Sequence, residues 1–190
     1  MTAPTLDLSV VRLKLTKMTD RILMRLHDRA GFPLNKPVYQ AGEFSKRIAA
    51  AGGRENAFTS RDHTAYFQQM QKDRLDLSMK LEADRMANLV ITDENFAKEI
   101  QVVMEERRLR TDDQPQSVVY ERLMATAYQT HPYRRPIIGW MNDLQNMTAQ
   151  DARDWYARWY APNNATLVVA GDVQADDVIA LAKKYFGAIP

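Results

Sequence analysis

The sequence predicts an α+β domain, with helices packed on a mostly antiparallel or mixed sheet. Three observations lead there. Several segments repeat apolar residues at helical spacing, and three runs alternate with strand period. The two kinds of segment are mixed without a regular βαβ alternation. With 190 residues, 45% hydrophobic and 26% charged, the chain is long enough to bury the core of one medium domain.

In the head, Val10, Val11, Leu15, Ile22, Leu23 and Leu26 recur at helix-like spacing, predicting a helix over 8–29. GFPLNKP interrupts it, because Pro33 and Pro37 remove backbone donors and restrict their neighbours. GEFSKRIAAAGG then reads as a short helix stopped by Gly52 and Gly53. ENAFTS and TAYFQQM read as antiparallel strands joined by the polar turn RDH. Whether ENAFTS lies at an exposed edge or pairs on both sides is left open by the sequence.

Leu75, Met79, Leu81 and Met86 place a helix over 73–90. Thr92 or Asp93 caps the next one, whose apolar stripe is Phe96, Ile100, Val103 and Met104. Asp112 to Pro115 ends it. SVVYERLMATAYQ is a further helix, and HPYRRPIIGW an irregular connection. Thr148 with Asp151 forms the cap and third-position acid that open TAQDARDWYARWY. There, Trp155 and Trp159, four apart, mark a packed helix face in preference to a docking surface. ATLVVAGDV is the clearest strand, DDVIALAKKYF a closing helix, and GAIP a turn.

Composition narrows the function classes. A net charge of +2 gives no footprint for nucleic acid or an anionic membrane. The charge is uneven, since residues 1–41 carry +4 and residues 42–190 carry −2. The chain has no cysteine, which removes disulfides, thiol catalysis and thiolate-bound zinc. No apolar run is long enough to span a membrane. The basic, loosely amphipathic head shares some features of a mitochondrial presequence, but its three aspartates argue against one, and no secretory signal is legible. These features leave localisation unassigned.

In KEIQVVMEERR, residues 98–108, Glu99 and Glu106 stand seven apart and so share a helix face. Such carboxylates most often sit in solvent and pair with neighbours, here Lys98, Arg107 and Arg110. A zinc enzyme can use one of them as a ligand instead. His63 lies in a turn and His131 before a proline, where lone histidines are usually surface or hydrogen-bonded residues.

GEFSKRIAAAGGRENAFTSRDHTAYF, KEIQVVMEERR, HPYRRPIIGW and YAPNNATLVVAGDV follow one another over residues 41–190 in a known order. They resemble the N-terminal domain of the pitrilysin/insulinase/mitochondrial-processing-peptidase family, the inverzincin zinc metalloendopeptidases. The small bacterial members, with two such domains per chain, are the most similar. The resemblance implies an H-x-x-E-H helix giving two histidine ligands and a general-base glutamate, with a later glutamate as third ligand. On this chain it assigns the third-ligand position to Glu106 and a supporting acid to Glu99. It assigns Asn56, Ala57, Phe58 and Thr59 to the strand edge along which the family lays an extended substrate.

The head departs from the pattern. Projected without gaps, the histidines belong at positions 26 and 30 and the base at 29, where this chain has Leu26, Arg29 and Ala30. Its histidines are His27, His63 and His131, no two of them four apart, and H-x-x-E-H occurs nowhere. The expected organisation is therefore a divergent basic helical head, 1–40, lacking the family's leading strands, and a partial family domain, 41–190. The loss of those strands predicts an exposed sheet edge.

The resemblance implies zinc-dependent peptide-bond hydrolysis for the family. The missing segment implies that this chain binds no zinc and is inactive by itself, whether through truncation, a shifted reading frame or divergence. The alternatives are a non-catalytic, peptide-binding partner of an active family member and a truncated remnant. Expected partners are extended peptides and either a related protease subunit or a missing C-terminal domain.

Overall fold

The computed structural model describes residues 43–190 in full, preceded by the backbone of three strands. These are β1 (Leu8–Leu15), β2 (Phe32–Pro33) and β3 (Pro37–Tyr39). There follow α1 (Glu43–Ala50), β4 (Arg54–Thr59), β5 (Thr64–Gln71), α2 (Leu75–Asn88), α3 (Asp93–Arg107) and α4 (Pro115–Ala127). The chain closes with α5 (Met141–Asn146), α6 (Ala149–Trp159), β6 (Ala165–Ala170) and α7 (Ala175–Phe186). The α+β class is as predicted.

The main sheet has the order β4-β5-β1-β6, and every neighbouring pair is antiparallel. β1 thus occupies an interior position, with Leu13 opposite Tyr66 of β5 on one side and Leu167 of β6 on the other. This corrects the predicted helical head over 8–15, and with it the expectation that a leading strand is lost. LSVVRLKL alternates apolar and polar residues from Val11 to Leu15 as well as matching helical spacing, and short apolar runs satisfy both periods. Pairing with β5 and β6, both distant in sequence, decides the outcome. The remainder of the predicted helix, residues 16–29, lies outside the described residues. β2 and β3 form a separate antiparallel pair that carries Pro33 and Pro37, a tolerated place for proline.

Local chemistry sets the element boundaries. α1 ends in a Schellman arrangement: Gly53 N donates to Ile48 O and Gly52 N to Ala49 O, both at 2.9 Å. Gly52 supplies the left-handed φ of +74°. A side chain at Gly53 would come within 3.0 Å of Ile48 Cγ2 and 3.1 Å of Met70 Cε, so the turn also fixes how α1 meets β5. Thr92 caps α3 by accepting from Asn95 N at 3.1 Å. Thr148 and Asp151 form the reciprocal capping box of α6, and the Thr148 hydroxyl holds the Asp151 carboxyl below its ordinary range.

α1, α2 and α3 close the core over the sheet. Phe44 and Ile48 of α1 meet Tyr66 and Met70 of β5, together with Leu81 and Met86 of α2 and Ile100, Val103 and Met104 of α3. A second cluster joins Leu75 and Met79 to β6 and α7 through Leu167, Val169, Val178 and Leu181. Trp155 and Trp159 pack together at 5.6 Å and lie partly buried against the main core, as their spacing predicted.

A polar group is buried inside this core. Glu82 and Arg85 form an ion pair with both side chains 1% exposed. Gln68 donates to Glu82, and Ser78 Oγ donates to Gln68 Oε1 at 2.8 Å. The Arg85 guanidinium lies 3.5 Å from the Tyr66 ring centre, and the Tyr66 and Tyr160 hydroxyls are 3.0 Å apart. The network fixes β5 against α2.

Candidate functional site

The site is built on one strand, one helix and the connection that braces them. β4 is an outer strand of the main sheet, paired to β5 along one side, which resolves the choice left open for ENAFTS. Arg54, Asn56 and Phe58 are exposed, while Glu55, Ala57 and Thr59 are half-buried, the alternation of a strand with one face on the core. Ala57 N donates to Asn56 Oδ1 at 2.8 Å, so a side chain occupies this backbone donor. Thr59 Oγ1 and Thr64 Oγ1 are 3.0 Å apart across the last pair of the hairpin.

The turn after β4 is fastened to the irregular connection. Ser60 N donates to His63 O at 2.8 Å, and Ser60 Oγ lies 3.0 Å from His63 Nδ1. Arg61 Nη1 donates to Tyr133 O at 2.6 Å, and Tyr133 OH donates to Asp62 Oδ2 at 2.6 Å. That bond raises the Tyr133 hydroxyl above its ordinary pKa. His131 Nδ1 accepts from Tyr133 N at 3.2 Å. His63 and His131 are thus hydrogen-bonded turn residues, as expected of lone histidines.

α3 carries the two carboxylates. Glu99 is 2% exposed, so it is not a solvated surface charge, and Lys98 pairs with Glu94 instead, at 2.7 Å. The Glu106 side chain is 10% exposed and lies 2.8 Å from Arg110, a partner the sequence suggested. Glu105 is the solvent-facing acid, paired with Arg108. After Arg107 the helix passes into a π-helical turn, Arg108–Asp112, closed by Asp113 N donating to Arg108 O at 2.8 Å. Arg107 turns away from Glu106 to Glu121 on α4, an anchor that sequence inspection missed. The pair spans 14 positions, too far for any helical spacing rule to expose it.

Zinc requires three or four converging donors. Among the described residues no three His, Cys, Asp or Glu side chains come together to hold a metal. Leu26, Arg29 and Ala30, at the positions projected for two ligands and the base, lie outside the described residues and offer no imidazole or carboxylate. Among the described residues the donor set therefore does not fit zinc, and no chemical step is assigned to it. What the geometry offers is an outer strand, β4, and a recessed pair of carboxylates on α3. Among the described residues, no helix is long and apolar enough to cross a membrane.

Comparison with known proteins gives the same frame. The model for Insulinase (Peptidase family M16) matches residues 35–140, and that for the Peptidase M16 inactive domain matches residues 146–190. The chain is 43% identical over 150 residues to the zinc protease PqqE of Helicobacter pylori, covering 79% of this chain and 34% of that one. It is 33% identical over 148 residues to an uncharacterized zinc protease of Mycobacterium leprae, covering 78% and 33%. The chain therefore spans about a third of the length of these curated relatives. Among solved structures, a protease from Helicobacter pylori superposes with a TM-score of 0.89 at 35% identity, covering 96% of this chain and 45% of that one. The first half of the periplasmic protease PqqL from Escherichia coli superposes at 0.81 with 20% identity, covering 97% and 42%. This second likeness speaks for the fold alone.

Proposed function

The chain belongs to the insulinase family of peptidases, M16, and from that premise we propose that it holds extended peptides along β4 without hydrolysing them by itself. The carrying observation is that Asn56, Ala57, Phe58 and Thr59 lie on an outer strand. A peptide can add to such an edge through backbone hydrogen bonds, with alternate side chains entering pockets. Glu106 takes the position of the family's third zinc ligand and Glu99 that of its supporting acid, in keeping with their shared helix and low exposure. Zinc is the metal that the names of the relatives carry. When bound in such enzymes it lowers the pKa of a water to about 7, and the described residues of this chain do not supply its clamp.

The proposed organisation is a head over 1–40 and a partial family domain over 41–190, with β1 of the head completing the sheet of the domain. The likeness to parts of longer proteases supports a partner in the form of a further domain or a related protease subunit.

The test has two arms on the full chain. Labelled unstructured peptides are titrated and followed by fluorescence anisotropy, and saturable binding is expected. In parallel the chain is equilibrated with zinc, desalted and assayed for metal and for peptide cleavage. The expected result is less than stoichiometric zinc and no cleavage. One tightly held zinc per chain, with cleavage that stops on adding chelator, would overturn the reading. Replacing the head with an H-x-x-E-H segment of a relative is expected to bring metal-dependent cleavage.

A second reading, a silent subunit that raises the activity of a zinc-bearing relative, draws on the lack of an H-x-x-E-H run in this sequence. Co-purification with such a relative and a rise in its turnover would favour it. A remnant without a role predicts neither peptide binding nor a partner.

A further inference from the structure

Past the C-terminal end of β4 lies a cleft of about 360 Å³. Four arginines line it, from three places: Arg61 from the β4–β5 turn, Arg110 from the π-helical turn after α3, and Arg134 and Arg135 from the irregular connection. Tyr120 of α4 and Ile138 add an apolar wall.

Most of this positive charge has no counter-ion among the described residues. Arg110 is neutralised by Glu106 at 2.8 Å. Arg61 Nη1 donates to Tyr133 O at 2.6 Å and Arg134 Nη1 to Gln129 O at 2.9 Å, but a carbonyl orients a guanidinium without cancelling its charge. Glu121 is the acid among the described lining residues, and it is already gripped by Arg107 through both oxygens. No carboxylate among the described residues forms an ion pair with Arg61, Arg134 or Arg135. Three guanidiniums around a small concave space with an apolar wall match a carboxylate in charge and in fork geometry.

The position specifies how that carboxylate arrives. Arg61 stands two residues beyond Thr59, the last residue of the outer strand. A chain added to β4 and running past Thr59 meets the cleft within one or two residues, at about 3.3 Å per residue. We propose that the cleft is an acidic-residue pocket, which receives an Asp or Glu side chain, or the terminal carboxylate, of a peptide held on β4. This selectivity rests on the peptide-holding reading above and adds to it a chemical preference.

The experiment uses the full chain and labelled ten-residue peptides of one sequence, with Glu, Gln or Lys placed at each position in turn. Each is made with a free and an amidated C-terminus, and binding is read by fluorescence anisotropy. At one position Glu is expected to bind about tenfold more tightly than Gln, the size of one charge-assisted bond. Lys should bind more weakly than either, and added salt should narrow the gap. Preference for the free over the amidated end, with no effect of internal Glu, supports the pocket with a chain terminus as occupant. Arg135→Gln, which removes an exposed side chain that pairs with no carboxylate among the described residues, is expected to shrink the gap severalfold. Equal binding of Glu, Gln, free and amidated peptides overturns the pocket and leaves the peptide-holding strand standing. Absence of binding by every peptide overturns both.

Discussion

Arg107 and Glu121 join α3 to α4 through two bonds, Nη1 to Oε2 at 2.7 Å and Nη2 to Oε1 at 2.9 Å. The same guanidinium donates to Gly139 O at 2.8 Å and lies 3.2 Å from Asp112. One side chain thus ties together the end of α3, the π-helical turn, α4 and the connection that bears two of the cleft arginines. The Glu121 bond leads in keeping the Arg107 guanidinium above its ordinary pKa. With the two side chains 6% and 13% exposed, removing one partner strands a charge away from water.

Glu121→Ala is therefore expected to cost about 3 kcal/mol, within the range for breaking a largely buried pair. Arg107→Ala should cost at least as much, since it also abandons Gly139 O. The double variant should cost clearly less than the sum of the two, because each single change already removes the shared contact. Urea denaturation of the four proteins measures this. Strict additivity would show that the pair has no energetic coupling.

The hydroxyl of Tyr156 reaches the end of α2, where it donates to Arg85 O at 2.7 Å and Met86 O at 2.5 Å and accepts from Leu89 N at 3.2 Å. Burial leads in pushing its pKa up to about 12. A folded-state pKa above the unfolded value of about 10 means that the folded chain keeps this proton longer. Its contribution is whole below pH 10 and is lost as pH rises to about 12. About 2 kcal/mol should vanish over that interval, less than the full two-unit linkage because the ring is only partly buried. Tyr156→Phe should remove this alkaline slope and cost about 1–2 kcal/mol at neutral pH for the unpaired backbone groups. Denaturation at pH 8, 10 and 11.5 checks both; a slope unchanged in the variant would assign it to another group.

Arg85 illustrates the cost of a charge at the centre of a core. Burial works to lower its pKa, and the attraction of Glu82 and of the Tyr66 and Tyr160 hydroxyls outweighs it, so the net direction is upward. Arg85→Ala removes the cation that faces Glu82 in the network and opens a cavity beside Tyr66. The expected loss is about 4 kcal/mol, from the stranded carboxylate and lost packing together. Adding Glu82→Leu to Arg85→Met should recover part of it, because an apolar pair needs no compensation. Thermal melts of the three variants decide this, and a double variant less stable than Arg85→Ala would contradict it.

Where a few neighbouring residues hold the signal, the sequence was sufficient. The two strands around RDH, the Thr92 cap, the Thr148–Asp151 box and the glycine stop after α1 are all local chemistry, and all stand where expected. β1 was misread because LSVVRLKL fits two periods, and its partners Tyr66 and Leu167 lie 53 and 154 positions away. α5, six residues long, is too short for a periodic pattern to mark. In the candidate site, Glu106 and its partner Arg110 were legible at helical spacing, whereas the burial of Glu99 depends on tertiary packing. The cleft draws its arginines from three separated segments, so no motif could announce it.

Asn56 and Ala57 set how readily β4 accepts another strand. Ala57 N is held by Asn56 Oδ1, so a peptide pairing at that donor must displace the side-chain amide. Asn56→Ala should free the donor, tighten peptide binding by about threefold, and increase edge-to-edge self-association, since an uncovered strand edge also pairs with its own kind. Ala57→Pro deletes the donor where no β5 carbonyl uses it, a substitution that outer strands tolerate. It should weaken peptide binding by about tenfold, one backbone bond and its geometry, while costing the fold little. Anisotropy titrations report the affinities and sedimentation reports the association. The two variants must move affinity in opposite directions, because one uncovers the hydrogen-bonding group and the other removes it. Movement in the same direction would mean that the peptide does not pair with β4 at this residue.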